Sequence, residues 1–153
     1  MHISPDRWAM DAIPGSMAVE SIPLPRRATS GSAGYDFVTP VDVTVAPGED
    51  KLIPTGIRCE MQPGWVLLLF PRSSIGFKYD VRLSNTVGVI DSDYFHADNE
   101  GHIMVKLRNP GPKPLVLSAG DRFCQGIFLP YGITTDDAAD GERTGGMGST
   151  GKK

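Results

Sequence analysis

Short apolar runs separated by turn-forming residues dominate the chain between residues 32 and 131. Residues 41–45 alternate apolar and polar side chains, which is the period of a half-buried strand. Residues 65–70 form a continuous apolar run with the length of a buried strand. Further strands are predicted at 51–61 (broken at Pro54 and Gly56), 81–84, 86–90, 102–108, 114–117 and 123–129. No stretch keeps a helical period over a dozen residues, so the pattern predicts an all-β, jelly-roll-like barrel or sandwich.

Composition agrees with this pattern and excludes several classes of protein. The chain has 18 glycines and 13 prolines in 153 residues, which favours many turns. A hydrophobic share of 40% argues against intrinsic disorder. The net charge of −3 argues against broad binding of nucleic acid, so a local cluster of donors must hold any polyphosphate. No apolar run reaches the roughly 18 residues that cross a bilayer, so no membrane partner is expected.

The two ends of the chain differ from the region between them. Residues 1–16 end in Ile13-Pro14-Gly15-Ser16, which resembles a cloning scar before a start codon. We interpret them as an expression leader or a disordered N-terminus and leave them out of the predicted fold. Residues 17–133 form the predicted β domain. Residues 134–153 are polar and glycine-rich and are predicted to be a flexible tail.

The cysteines and histidines lack the spacing of metal ligands. Cys59 and Cys124 lie in apolar strand-like contexts and form no Cys-x-x-Cys pair, so we predict two buried free thiols. A reducing cytoplasm is therefore the expected compartment. His2, His96 and His102 share no ligand spacing, which argues against a protein-bound zinc.

Three polar segments could carry chemistry. Residues 71–74 place a guanidinium and two hydroxyls directly after the long apolar strand, where they form a phosphate-binding corner or a solvated turn. Residues 85–94 form a β-hairpin or a narrow slot with a carboxylate and an aromatic ring at its mouth. Arg143 and the glycines at 145–151 expose donors that can wrap phosphate oxygens. No helix follows these glycines, so neither a Rossmann nor a Walker site is predicted.

Together, five segments resemble the motifs of the homotrimeric dUTPase family, in order and at family-like spacing. They are Ala33-Gly34-Tyr35-Asp36-Phe37, Pro71-Arg72-Ser73-Ser74, Gly88-Val89-Ile90-Asp91-Ser92-Asp93-Tyr94, Gly120-Asp121-Arg122-Phe123-Cys124-Gln125 and Arg143-Thr144-Gly145-Gly146-Met147-Gly148-Ser149-Thr150-Gly151. The resemblance implies a jelly-roll trimer that hydrolyses dUTP to dUMP and pyrophosphate with Mg²⁺. This activity supplies dUMP for thymidylate synthesis and keeps uracil out of DNA.

The resemblance also implies roles for residues on the nucleoside side. Asp91 would be the general base that deprotonates the water attacking the α-phosphorus, a step that needs an ionised carboxylate. Tyr94 would lie under the deoxyribose and leave no space for a 2′-hydroxyl. The residues around the uracil would be Asn85, Gly88, Val89, Ile90 and Met104.

On the phosphate side, the resemblance implies that the chain of phosphates is held by Arg72, Ser73, Ser74 and Gln125. Mg²⁺ would be bound mainly by the substrate phosphates, with Asp36 reaching it through water. The tail would close over the nucleotide in a neighbouring subunit's site. The tail residues involved would be Arg143, Gly146, Met147, Gly148, Ser149 and Thr150.

The chain departs from the family pattern at two places. Met147 stands where the family usually has a phenylalanine that stacks on uracil, which predicts a looser lid and weaker binding. The link at residues 95–101 is longer than is common in the family.

Two alternatives remain open from the sequence. The dCTP deaminases share the fold and the trimer, but they place a catalytic glutamate at the position of Lys106, and lysine cannot replace it. A dUTPase-like module that regulates a protein partner is the non-enzymatic alternative, against which the intact Asp91 argues.

Overall fold

The computed structural model describes residues 1–146, which fold mostly into short strands. The strands are β1 (His2–Ile3), β2 (Arg26–Arg27), β3 (Tyr35–Val38), β4 (Val43–Val45), β5 (Asp50–Pro54), β6 (Ile57–Arg58), β7 (Trp65–Pro71), β8 (Arg82–Leu83), β9 (Gly88–Ile90), β10 (Met104–Arg108), β11 (Leu115–Leu117) and β12 (Arg122–Pro130). The helices are α1 (Pro5–Asp11) and α2 (Ser73–Tyr79), with 3₁₀ helices at Val19–Ser21 and Ser92–His96.

These strands pair antiparallel in four sheets. The largest has the order β2-β3-β12-β7-β9, and a second has the order β5-β10-β8. Two smaller sheets pair β11 with β4 and β1 with β6. Neighbours in a sheet are often distant in sequence, as when β12 lies between β3 and β7. This crossing of connections is the architecture of an all-β, jelly-roll-like fold, as predicted.

Alternating side chains build the core between the sheets. Val43 and Val45 of β4 point inward and are buried, whereas Thr44 between them is exposed. Leu67 on β7 is fully buried, and its side chain reaches Gly126 of β12, which pairs with Leu69. A Cβ at Gly126 would lie 2.7 Å from Leu67 Cδ1, so glycine lets the two strands and the opposing side chains approach. Core packing therefore depends on the period-two pattern that is visible in the sequence.

Several elements were not predicted because their local pattern is weak. Helix α2 spans seven residues directly after β7, where the sequence indicated only a turn. Strand β3 carries the Asp36 motif but has no clean alternation of exposed and buried positions. The prediction of two buried free thiols is confirmed, since Cys59 and Cys124 are both buried and unpaired. Burial raises the pKa of both thiols and keeps them protonated.

Residues 2–11 are part of the fold, although residues 1–16 were predicted to be an expression leader or a disordered N-terminus. Strand β1 pairs with β6, and α1 follows immediately. Trp8 on α1 is 4% exposed and belongs to the core cluster. We call residues 2–11 the N-terminal segment.

The other end of the described chain has no regular secondary structure from residue 138 to residue 146. Within residues 1–146, no helix is both long enough and apolar enough to cross a membrane.

Candidate active site

A cavity of about 470 Å³ opens between the two larger sheets. Strand β8 pairs with β10 and strand β9 pairs with β7, so residues 84–87 pass from one sheet to the other. The interpretation of residues 85–94 as a β-hairpin is wrong, because the chain enters a 3₁₀ helix at Ser92–His96 after β9 instead of a returning strand. The cavity lies where β8 and β9 diverge.

Residues at the turn between β8 and β9 form one wall of this cavity, which we call the nucleoside pocket after the contacts that the sequence predicts for it. Thr86 adopts a left-handed backbone (φ 70°), and Val87 N donates a hydrogen bond to Asn85 O at 2.8 Å. A Cβ at Gly88 would lie 3.0 Å from Leu69 Cβ, which is closer than nine in ten real contacts of a Cβ. A side chain where β9 meets β7 would therefore require Leu69 to shift by a few tenths of an ångström. Predicted uracil contacts that line the cavity are Asn85, Gly88, Val89, Ile90 and Met104.

Asp91 lies at the junction of β9 and the following 3₁₀ helix. Its backbone carbonyl accepts a hydrogen bond from Tyr94 N at 3.2 Å, which fixes the residue at the start of the helical turn. Its carboxylate is half-exposed at the pocket. Arg143 donates to Asp91 at 2.5 Å and to Asp93 at 2.8 Å. The arrangement presents an accessible carboxylate beside a cation from the tail.

Tyr94 lines the pocket with its ring and is held from behind through its hydroxyl. The side chain is 4% exposed. Its hydroxyl donates to the backbone carbonyl of His102 at 2.7 Å and accepts from Asn99 Nδ2 at 2.7 Å. Burial raises the pKa of the Tyr94 phenol above its ordinary value, although the Asn99 hydrogen bond opposes this. The phenol is therefore a neutral, fixed wall at physiological pH.

A second cavity, of about 580 Å³, gathers the predicted phosphate residues around Asp36. Arg72 Nε lies 3.2 Å from one Asp36 oxygen, and Arg122 lies 3.1 Å from the other. Gln125 faces Asp36 across the β12–β3 ladder and donates to Pro71 O at 3.4 Å. The predicted phosphate residues lining this phosphate pocket are Arg72, Ser73, Ser74 and Gln125.

The two pockets share no lining residue within the described chain. Ile90, next to Asp91, pairs with Leu67 of β7, and Arg72 follows five residues later along the same strand direction. At roughly 3.3 Å per residue this separates them by about 17 Å. One chain thus brings the residues predicted to contact the nucleoside together in one place and those predicted to contact phosphate together in another.

The predicted tail contacts are described only in part. Arg143 and Gly146 line the nucleoside pocket of their own chain. The predicted contacts of Met147, Gly148, Ser149 and Thr150 lie outside the described residues.

Sequence reasoning missed several groups around the sites. Arg122 was quoted within a motif but was not singled out, yet it binds Asp36. His102, Asn99 and Asp11 were also missed, although they support Tyr94 from behind. The start of α1 could have been predicted from the sequence. Ser4-Pro5-Asp6 matches the pattern of a helix N-terminus, with proline and an acidic residue in the first turn.

Comparison with known proteins gives a consistent result. The dUTPase family model matches residues 20–151. The deoxyuridine 5′-triphosphate nucleotidohydrolase of Lactococcus lactis is 47% identical over 133 residues, covering 85% of this chain and 89% of that protein. The protein of the same name from Actinobacillus pleuropneumoniae is 42% identical over 139 residues, with coverages of 86% and 89%.

Solved structures agree on the fold. The dUTPase of Streptococcus mutans has a TM-score of 0.67 and 42% identity, covering 72% of this chain and 87% of that chain. The dUTPase from phage phi11 of S. aureus has a TM-score of 0.66 at 20% identity, covering 80% and 92%, and supports the fold alone.

Proposed function

The chain belongs to the dUTPase family and hydrolyses dUTP to dUMP, and we propose that it does so in a site completed by a second copy of the chain, with Asp91 as general base. The observation that carries this proposal is the strand register: Ile90, next to Asp91, pairs with Leu67, and Arg72 lies five residues further along the chain, which is about 17 Å at the rise of an extended strand. A base acts on water within hydrogen-bond reach, so it must lie close to the phosphates it serves.

Asp91 is suited to activate the water. Its carboxylate is half-exposed at the pocket, and backbone hydrogen bonding holds its main chain at the start of the 3₁₀ helix. The water, deprotonated by Asp91, attacks the α-phosphorus, and the bond from that phosphorus to the bridging oxygen breaks. Pyrophosphate leaves with the electron pair, and dUMP keeps the new oxygen. Ser73, at the bridging oxygen, stabilises the charge that develops there.

The nucleoside pocket is suited to select deoxyuridine. The backbone at Val89 and Ile90 offers fixed donors and acceptors to the uracil edge, and cytosine would leave some of them unpaired. We infer that the turn at residues 85–88, which lines the pocket with its backbone close to the base, excludes a thymine methyl group by steric contact. The Tyr94 side chain is buried and held by its hydroxyl at the pocket, and in the proposed site its ring would lie under the sugar, where a 2′-hydroxyl would collide with it.

The phosphate pocket supplies positive charge and hydroxyl donors. Arg72, Ser73, Ser74 and Gln125 surround it, and Arg122 adds a second guanidinium at Asp36. The two pockets would meet across an interface between copies, because each chain presents one of each. In a closed ring of three copies, each nucleoside pocket would meet the phosphate pocket of a neighbouring copy, as expected for the homotrimer of this family.

The residues fit a magnesium ion that is carried by the substrate. Both Asp36 oxygens are engaged by arginines, and among residues 1–146 no group of three or more His, Cys, Asp or Glu could hold a metal ion. The chemistry that Mg²⁺ supplies when bound is neutralisation of the phosphate oxygens. Asp36 would contact it through water, and Arg72 would add a fixed charge beside it.

Arg143 would close the site from the tail. A guanidinium binds phosphate oxygens in a bidentate manner, and Arg143 already lies at the pocket. We propose that it reaches the γ-phosphate in a neighbouring copy's site, together with Gly146 and residues 147–150. A neighbour's tail and the chain's own tail would compete for the same carboxylates at Asp91 and Asp93.

The first experiment is pyrophosphate release from dUTP, dCTP, dTTP and UTP in parallel, with and without EDTA. We expect release from dUTP alone, with loss of activity in EDTA. Ammonia from dCTP would contradict the assignment and favour a deaminase, although Lys106 is a poor replacement for the glutamate that a deaminase needs. Lys106 instead lies 3.4 Å from Asp50.

The shared site is tested by mixing two inactive variants after joint refolding. Asp91→Asn removes the base, and Ser73→Ala removes a phosphate contact from an exposed position. If each site takes one pocket from each of two copies, random mixing restores about a quarter of wild-type activity, since half the copies supply each intact pocket. Asp91→Asn mixed with Asn85→Ala, both from one pocket, is the matched control and should not gain activity. Equal results in the two mixtures would contradict a shared site.

A further inference from the structure

The N-terminal segment precedes the region matched by the family model and packs behind the nucleoside pocket. Strand β1 pairs with β6, and Ser4 N donates to Gly56 O at 3.1 Å. Trp8 is buried and meets the His102 ring edge-on, with the ring centroids 6.2 Å apart. The segment is therefore in direct contact with the residue whose carbonyl holds Tyr94.

Asp11, the last residue of α1, makes a polar contact with this residue. Its Oδ2 lies 2.6 Å from His102 Nδ1 and 2.6 Å from Arg7 Nε. Gly56 N donates to His102 Nε2 at 2.8 Å, so Nε2 is the acceptor and Nδ1 carries the proton that is donated to Asp11. The His102 side chain is fully buried. Both ring nitrogens are thus satisfied, and Asp11 supplies one of the two partners.

The loop between Tyr94 and His102 depends on this anchor. Glu100 and Gly101 both have a left-handed backbone, with φ of 57° and 69°. Ser4 Oγ donates to Glu100 Oε2 at 2.8 Å, so the N-terminal segment also binds the strained part of the loop. The Tyr94 hydroxyl then donates to the His102 carbonyl at the loop's end.

Strand β1 supports the same 3₁₀ helix from a second side. His2 pairs with Arg58 of β6. Arg58 donates to the carbonyl of Phe95 at 2.5 Å, and its guanidinium lies 3.7 Å from the centroid of the Phe95 ring. Phe95 is the neighbour of Tyr94. The N-terminal segment therefore supports the Tyr94 turn both through β6 and through His102.

We propose that Asp11 is a positioning residue for nucleotide selection: through His102 it holds the carbonyl that binds the Tyr94 hydroxyl, and thereby fixes the ring that excludes a 2′-hydroxyl. This inference rests on the proposed function. Exclusion of a single hydroxyl needs a wall placed within about half an ångström, which supporting hydrogen bonds provide. When Asp11 is lost, the ring gains freedom to tilt, and UTP gains access.

A purely structural role for Asp11 makes a different prediction. It would lower the stability of the fold and leave the preference for dUTP over UTP unchanged in the molecules that remain folded. A positioning role changes that preference, because the Tyr94 ring contacts the sugar but takes no part in the proton transfer at Asp91. The KM for dUTP should therefore change more than kcat.

The test compares Asp11→Ala and Asp11→Asn with Asp6→Ala, which changes an exposed acid on the same helix. The readout is the ratio of kcat/KM for dUTP to kcat/KM for UTP. We expect the ratio to fall about tenfold in Asp11→Ala and about threefold in Asp11→Asn, whose amide still accepts from His102. Asp6→Ala should match the wild type. An unchanged ratio in folded Asp11→Ala, or an equal fall in Asp6→Ala, overturns the proposal.

A second variant tests the route. Tyr94→Phe removes the hydroxyl that binds the His102 carbonyl. In that background Asp11→Ala should lower the ratio less than about twofold, because the link it acts through is already absent. A full tenfold fall would show that Asp11 acts by another route and would overturn the proposal.

The controls separate this inference from the proposed function. Melting temperature and oligomeric state are measured for every variant, and if Asp11→Ala does not fold, the ratio in Asp11→Asn decides. Wild-type hydrolysis of dUTP is measured in the same assay. Its absence would refute the proposed function, whereas normal hydrolysis with an unchanged ratio in the Asp11 variants would refute only the role of Asp11.

Discussion

The Arg143 guanidinium donates to the Asp91 carboxylate at 2.5 Å and lies 5.7 Å from the centroid of the Tyr94 ring. The guanidinium carries five N–H donors, and its contacts with Asp91 and Asp93 involve only two of its three nitrogens. We therefore expect that a guanidinium at this place can bind phosphate oxygens of a nucleotide while it stays beside the Asp91 carboxylate.

Arg143→Ala should raise the KM for dUTP about 10- to 100-fold, since hydrogen bonds to charged groups contribute about 1.5–3 kcal/mol. Steady-state kinetics measure this change, and inhibition by dUMP is the internal control. Because dUMP has no γ-phosphate, its inhibition constant should change little. Arg143→Lys keeps the charge but loses the planar arrangement of N–H donors. Its KM for dUTP should therefore lie between that of the wild type and that of Arg143→Ala. An unchanged KM in Arg143→Ala would contradict this role.

Asp91→Asn should lower kcat about 10²- to 10⁴-fold while nucleotide binding survives, because an amide cannot accept the proton from water. Asp93→Asn is the matched control, since Asp93 also contacts Arg143 but has no assigned part in the chemistry. It should stay within about threefold of wild-type kcat. Stopped assays of pyrophosphate and calorimetric binding of a non-hydrolysable analogue separate the two effects. Equal losses in both variants would show that the Arg143 contact matters and that the base does not.

The buried His102 should make the fold less stable as the pH falls below neutrality. Burial lowers the pKa of His102 below its ordinary value, although Asp11 and Glu100 oppose this and Arg7 adds to it. In the unfolded chain His102 binds a proton as the pH falls through about 6.5, whereas the folded state does so only at lower pH. Stability is thus fully present above about pH 6.5 and is lost as the pH falls from there toward the lowered pKa.

Thermal melts at a series of pH values between about 7.5 and 5.5 measure this loss. His102→Gln should flatten the dependence while lowering stability overall, because it removes the group that titrates. His96→Gln changes an exposed histidine and should keep the wild-type dependence. If melting temperature depends on pH in the same way in the wild type and in His102→Gln, the pH dependence does not come from His102. Asp11 does not contribute to the loss of stability between about pH 7.5 and 5.5. Burial raises the pKa of its carboxyl, but Arg7 and His102 outweigh this effect, so the pKa lies below its ordinary acidic value.

Gly101→Ala should destabilise the fold by about 3 kcal/mol or more, because a left-handed backbone and a backbone clash act together. The new Cβ would lie 2.6 Å from Phe95 Cα and 2.7 Å from the Tyr94 carbonyl oxygen. Gly15→Ala has the same type of backbone, with φ of 85°, but no atom within 4 Å of the new Cβ. It should lose only about 1 kcal/mol. Denaturant unfolding measures the free energy of unfolding of both variants. Equal losses in Gly101→Ala and Gly15→Ala would show that the backbone near Tyr94 moves to relieve the clash.

Trp8→Ala should destabilise the fold by about 3–5 kcal/mol, the usual loss for a large buried aromatic side chain. Met10 on the same helix is 74% exposed, so Met10→Ala should change stability by less than about 0.5 kcal/mol. Denaturant unfolding gives both values. A small loss for Trp8→Ala would mean that the N-terminal segment contributes little to the fold in solution.

Much of the fold was readable because its signal is local. The continuous apolar run at residues 65–70 lies in β7, and the alternating segment at residues 41–45 contains β4. By contrast, α2 is only seven residues long and follows a strand directly, so it has too few turns to show a helical period. Residues 2–11 were set aside on the character of the residues that follow them, although Trp8 is a core residue.

The sequence by itself determined the fold class, the family and the chemical character of each candidate residue, because these follow from local patterns and from motifs in order. The tertiary structure decided how the candidate residues are divided between the two pockets of one chain. It paired Ile90, next to Asp91, with Leu67 and left Arg72 five residues further along the chain, an arrangement that no motif order reveals, because strand pairing brings distant segments together and can also separate near ones. It also joined Asp11 to His102 across 91 positions of the chain, a contact that follows only from packing.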